Sequence, residues 1–84
     1  MTNKQIQKKQ IIYRSTHRGT KEMDILLGSF VKKNINYFSN KDLNDIQKLL
    51  FLEDEILYKW YFKNKHNIKI PNNRVSKLLK KFKL

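Results

Sequence analysis

The sequence predicts an all-α fold, a small compact five-helix bundle. Three observations lead there. The chain has 84 residues, a length that makes one domain. It contains two Gly and one Pro, too little turn material for a multi-stranded sheet. Its apolar residues recur at spacings of three and four, which winds them into one stripe per helix. Residues 1–84 therefore read as a single domain, with 1–4 expected to be flexible.

The first helix is expected over about residues 4–13, with Ile6 and the Ile11, Ile12, Tyr13 cluster as its apolar side. The second has the clearest stripe: Met23, Leu26, Leu27, Phe30 and Val31. Ser39 is placed to cap a third helix through its hydroxyl, and Asp42 three positions on suits the positive end of the helix dipole. That helix carries Leu43, Ile46, Leu49 and Leu50. Asp54 reads as the cap of a fourth helix bearing Ile56, Leu57, Trp60 and Tyr61. Asn64 to Lys69 reads as a loop. Pro71 fits the first turn of a last helix, where a missing N–H is harmless, and Val75, Leu78, Leu79 and Phe82 form its stripe. Most of these apolar residues are core; Trp60 is read either as core or as a partner contact.

Composition narrows the chemistry. Cysteine is absent, which removes disulfides, thiolate catalysis and Cys-based zinc sites. His17 and His66 stand far apart and outside any ligand-spacing motif, so no metal is expected, since such sites need three or four ligands. No apolar run approaches the ~20 residues that span a bilayer, and the N-terminus lacks the apolar core of a signal peptide. A soluble, cytoplasmic, bacterial protein without membrane insertion is expected. A chain this short leaves no room for a deep substrate cavity. No phosphate loop, nucleophile elbow or Ser/His/Asp set occurs. Glu22 and Asp24 diverge on a helix and do not make an acid/base pair. No catalytic residue is assigned, and the chain is not expected to be an enzyme.

The formal charge is +12, and it is unevenly spread. Residues 1–21 hold six basic side chains and no acid, residues 22–55 hold all seven acids against four basic ones, and residues 56–84 hold nine basic ones and no acid. A small basic nucleic-acid-binding helical protein is the alternative this charge raises. No recognition-helix or aromatic RNA-binding motif accompanies it, and Lys77, Lys80, Lys81 and Lys83 read as a solvated helix face.

The most informative segment is Arg18-Gly19-Thr20-Lys21-Glu22-Met23-Asp24. At ~100° per residue, Arg18 and Glu22 fall on one side of a helix, with Ile25 and Ser29 in the same sector and Asp24 on the opposite flank. Two readings of Arg18 and Glu22 are open: a contact face, or a surface pair worth a few tenths of a kcal/mol, about 0.2–0.5. Gly19 is either the turn between the first two helices or a place where another backbone comes close.

At these residues the chain resembles the SdhE-type FAD assembly factors, a family that includes the mitochondrial succinate dehydrogenase assembly factor. The family hallmark R-G-x-x-E-x-D stands here as Arg18, Gly19, Glu22 and Asp24. An apolar run ending in Phe30 follows, then the Ser39-capped acidic helix start, then L-L-x-x-x-D-x-x-L-x-x-W as Leu49, Leu50, Asp54, Leu57 and Trp60. The match extends over roughly residues 6–62. The resemblance implies a five-helix bundle that binds the flavoprotein subunit of succinate dehydrogenase or fumarate reductase. It implies promotion of the covalent bond between a histidine of that subunit and the 8α carbon of FAD, by positioning. The chain would hold no cofactor of its own and act on FAD bound by the partner, as a monomer and without nucleic acid. His17, Arg18, Gly19, Glu22, Asp24 and Ile25 would face the flavoprotein, while Ser39, Asp54 and Trp60 belong to the structural motif. This sequence departs from the family in His17 before the Arg, in Ser29 before Phe30, in the Tyr61–Lys65 stretch that replaces a Gly-containing turn, and in its basic tail.

Overall fold

The computed structural model describes residues 2–65 and 67–84; His66 lies outside the described residues. Five α-helices occur among them: α1 (Asn3–Thr16), α2 (Lys21–Asn34), α3 (Asn40–Leu50), α4 (Asp54–Phe62) and α5 (Arg74–Lys81). A short 3-10 turn, Ile35–Tyr37, follows α2. It was not foreseen from the sequence, and it carries Ile35 and the following Phe38 into the core. The helical bundle expected from the sequence is the fold observed.

The helix starts follow capping chemistry. Thr2 caps α1, accepting from the Gln5 N–H while the Gln5 side chain accepts the Thr2 N–H. The helix thus takes in Asn3 and Lys4, part of the segment 1–4 expected to be flexible; Met1 lies outside the described residues. Ser39 caps α3 as the sequence indicates, with the Ser39 hydroxyl and the Asp42 carboxylate each accepting the other's backbone N–H at 3.1 Å. Asp42 is nearly fully buried and also pairs with Arg74. That ion pair ties the start of α5 to the start of α3.

Two expected caps are corrected. Asp54 is not the cap of α4 but its first residue; Glu53 holds the cap position without a side-chain hydrogen bond, because the Asp54 carboxylate is used elsewhere. Pro71 does not open α5. Asn73 caps that helix, accepting from the Ser76 N–H at 2.9 Å, and Pro71 lies in the loop before it. Phe82 likewise falls just past the end of α5. It still reaches the core, edge-on to the Phe30 ring with 5.4 Å between centroids.

The core is the set of predicted stripes. Met23, Leu26, Leu27, Phe30 and Val31 of α2 and Leu43, Ile46, Leu49 and Leu50 of α3 are all buried, with Ile11, Leu57, Val75 and Leu79 contributed by the other helices. Each such side chain contributes roughly 1.5–3 kcal/mol by leaving water. The first helix supplies the exceptions: Ile6 is 43% exposed and Tyr13 62%. Helix α1 lies across α2 and α3, and its last turn sits against Gly28, where an added Cβ would meet the Thr16 methyl at 3.2 Å. That close approach packs the end of α1 against the middle of α2, and the short segment between the two helices forms their junction.

Candidate functional site

The hallmark segment is that junction. The α1 helix ends at His17 and α2 is capped by Thr20, whose hydroxyl accepts the Met23 N–H at 3.3 Å. Arg18 and Gly19 are therefore outside any helix. The helical projection that put Arg18 and Glu22 side by side is overturned, because no helix runs through both. Of the two readings of Gly19, the turn between α1 and α2 is the one observed, and its φ is not positive.

Arg18 points into the protein. Its side chain is only 9% exposed. Nε donates to Asp54 Oδ1 at 2.7 Å, and Nη2 lies 2.6 Å from the same oxygen. Nη1 donates to the carbonyls of Leu50 at 2.7 Å and Arg14 at 3.3 Å, and Nη2 to the carbonyl of Leu52 at 2.9 Å. The planar fork thus satisfies the carbonyls left open at the end of α3 while pairing with a carboxylate at the start of α4. Every nitrogen of the guanidinium is engaged within the chain.

Two carboxylates then hold the backbone beside it. Asp24, half-buried on α2, accepts the Arg18 N–H. Asp54 Oδ2 accepts the Gly19 N–H at 2.5 Å. A Cβ on residue 19 would meet that same Oδ2 at 3.0 Å, so glycine is needed for the carboxylate to come this close. Asp54 was singled out from the sequence as a motif residue and a cap. Its actual task, joining α4 to the α1–α2 junction, was missed, and no local pattern announces a partner 36 positions away.

The outward-facing residues are fewer. Gly19 and Glu22 are exposed, Glu22 makes no ion pair among the described residues, and Ile25 is 47% exposed. His17 is exposed as well. Its ring stacks on Tyr13 with centroids 3.9 Å apart, and its Nδ1–H donates to the Tyr13 carbonyl at 2.8 Å, which fixes the proton on that nitrogen. Glu22 and Ile25 border different depressions. Glu22 lines a groove of about 680 Å³ with Thr20, Asp54, Glu55, Tyr58, Lys59, Lys63 and Lys65. Ile25 lines a smaller one of about 220 Å³ with Thr16, Ser29 and Lys32.

Trp60 is half-buried against the core, with the Lys80 ammonium 4.8 Å from its ring centre and donating to its carbonyl. Burial pushes the Lys80 ammonium below the usual lysine range. The core reading of Trp60 fits this placement. Next to the junction, the Arg14 guanidinium sits 4.6 Å from the centre of the exposed Phe51 ring, a pairing the sequence did not signal.

A family model described as "Flavinator of succinate dehydrogenase" matches residues 9–83. Among curated proteins, the chain is 36% identical over 77 residues to the mitochondrial succinate dehydrogenase assembly factor 2 of Scheffersomyces stipitis, covering 90% of this chain and 52% of that protein. It is 30% identical over 74 residues to the FAD assembly factor SdhE of Acetobacter pasteurianus, covering 88% and 65%. It is 32% identical over 78 residues to the SdhE of Wigglesworthia glossinidia brevipalpis, covering 93% and 89%. The chain spans about half to two thirds of the length of the first of these relatives. No solved structure gives a significant match. No helix among the described residues is long and apolar enough to cross a membrane.

Proposed function

Because the chain belongs to the family of succinate dehydrogenase flavinators, we propose that it binds the flavoprotein subunit of succinate dehydrogenase, or of fumarate reductase, and promotes covalent attachment of FAD to it. The observation that carries this reading is the family match over residues 9–83, which includes the whole Arg18–Asp24 junction. The role is accessory. The flavin supplies the electron chemistry, the partner supplies the histidine, and this chain supplies a rigid surface that holds them in a reactive arrangement.

On this reading the hallmark divides between two tasks. Arg18 and Asp24, with Asp54, are spent inside the chain and position the junction. Gly19 and Glu22, with Ile25 and His17 at the margins, are the surface left to meet the partner. Gly19 offers the partner an exposed stretch of backbone, and Glu22 accepts N–H groups from it in charge-assisted hydrogen bonds. A nucleic-acid role, raised by the +12 charge, is not favoured by the family match.

Co-expression with the succinate dehydrogenase flavoprotein of the same source organism tests the reading. Flavin fluorescence of the denatured flavoprotein should be strong with the chain present and weak without it. Glu22→Ala, which removes no side-chain hydrogen bond or ion pair among the described residues, should lower that signal several-fold while helicity is kept. Equal flavinylation with and without the chain ends the proposal.

A further inference from the structure

The groove between the start of α2 and the face of α4 opens immediately beside Gly19 and Glu22. Six of its lining residues are charged: Glu22, Asp54, Glu55, Lys59, Lys63 and Lys65. Three of these are neutralised within the chain, Asp54 by Arg18 and the Glu55–Lys59 pair at 2.9 Å. What remains is Lys63 and Lys65 at one end and Glu22 at the other. Neither lysine has a carboxylate partner among the described residues.

The backbone fixes where those lysines stand. Asn64 between them has φ 51°, the one positive value outside glycine among the described residues. The Lys63 and Lys65 N–H groups both donate to the Lys59 carbonyl, at 3.1 and 3.3 Å. Helix α4 thus ends in a tight left-handed cap, and this cap brings both lysines to the groove rather than letting them trail into the following loop. Tyr58, packed on Phe62 with 4.8 Å between ring centres, gives the groove an apolar wall between its charged ends.

We propose that this groove seats an extended acidic segment of the flavoprotein partner, with carboxylates against Lys63 and Lys65 and an N–H or cationic group against Glu22. The inference rests on the function proposed above and adds to it the chemistry of the docking segment. Charge complementarity selects the occupant: two unpaired cations and one unpaired anion at opposite ends of one channel call for the reverse pattern. Such pairing sets partner choice and association rate, and it weakens with salt.

The test is titration calorimetry of the purified flavoprotein subunit of the same source organism with wild-type chain, with Lys63→Glu/Lys65→Glu, and with Lys81→Glu/Lys83→Glu. The control pair changes net charge equally but sits, exposed, at the end of α5 and just beyond it, outside the groove. At low salt the groove variant is expected to bind at least tenfold more weakly than wild type, with a shallower salt dependence, and the control less than threefold. Circular dichroism should show the helical content of all three unchanged. Equal weakening in both variants means that net charge alone acts, and it overturns the proposal. So does unchanged binding by the groove variant, or a wild-type homodimer in sedimentation that this variant abolishes, since the occupant is then a second copy. If the wild-type chain neither binds nor flavinylates the subunit, the functional reading itself fails, an outcome separate from these.

Discussion

Asp54 is the residue on which the junction depends. Its two oxygens receive the Arg18 side chain and the Gly19 backbone. Truncating it leaves a guanidinium that is 9% exposed without its counter-charge. Breaking a buried pair from one side costs about 3–5 kcal/mol; with the Asp54 side chain 18% exposed, Asp54→Ala should lose about 2–4 kcal/mol. In a domain of this size the thermal midpoint falls by on the order of 10 °C or more, readable by circular dichroism. A surface ion pair would lose about 0–1 kcal/mol, so a loss that small would show the lock to be ornamental. The sequence marks Arg18, Gly19, Asp24 and Asp54 as special. It does not reveal that all four are used on one another, because the Arg18–Asp54 contact joins residues 36 positions apart and the helical projection assumed a helix the chain does not form there.

At the scale of the element, local chemistry was legible and long-range chemistry was not. The Ser39–Asp42 capping box lies within three positions, and the structure has it. The stripes of α2 and α3 repeat within one helix, and they are buried. Asp54 looked like a cap because Asp is a good capping residue, but the Arg18 fork competes for the same carboxylate and wins. Pro71 was compatible with a first turn, yet Asn73 offers a side-chain acceptor two residues later, and the helix starts there. The cap of α4 gives a prediction at this scale. Asn64 holds a left-handed conformation that Gly adopts without strain. Asn64→Gly should keep or raise stability by up to about 1 kcal/mol, and Asn64→Ala should lower it by about 1–2 kcal/mol. Chemical denaturation checks both; an alanine variant as stable as the glycine one would mean that the left-handed turn is not maintained in solution.

The whole molecule carries a charge of +12 that its own acids do not balance. Arg18, Lys41, Lys59 and Arg74 are in ion pairs among the described residues, and the other cations lie mainly on the surface. Such self-repulsion opposes the compact state and is screened by salt. The thermal midpoint of the isolated chain should therefore rise by several degrees between roughly 10 mM and 150 mM salt, where the Debye length falls from about 30 to 8 Å. Scanning calorimetry reads this directly, and a falling midpoint would mean that attractive pairs dominate instead. Composition alone pointed this charge toward nucleic acid; only the ordered motifs turned the reading toward a flavoprotein.

The Arg18–Asp54 lock also bears on the order in which the chain folds. Its acceptors come from α1, the end of α3, the turn after it and the first residue of α4, and a loop of this length must close before any reward is gained. The α1–α2 pair can dock early on its apolar stripes, whereas the junction takes its shape only when the third and fourth helices have arrived. The stability lost in Asp54→Ala should thus surface in the unfolding rate, with the folding rate nearly unchanged. A surface finished last is presented only by a chain that has completed its fold, so an incompletely folded copy has no assembled edge at this junction.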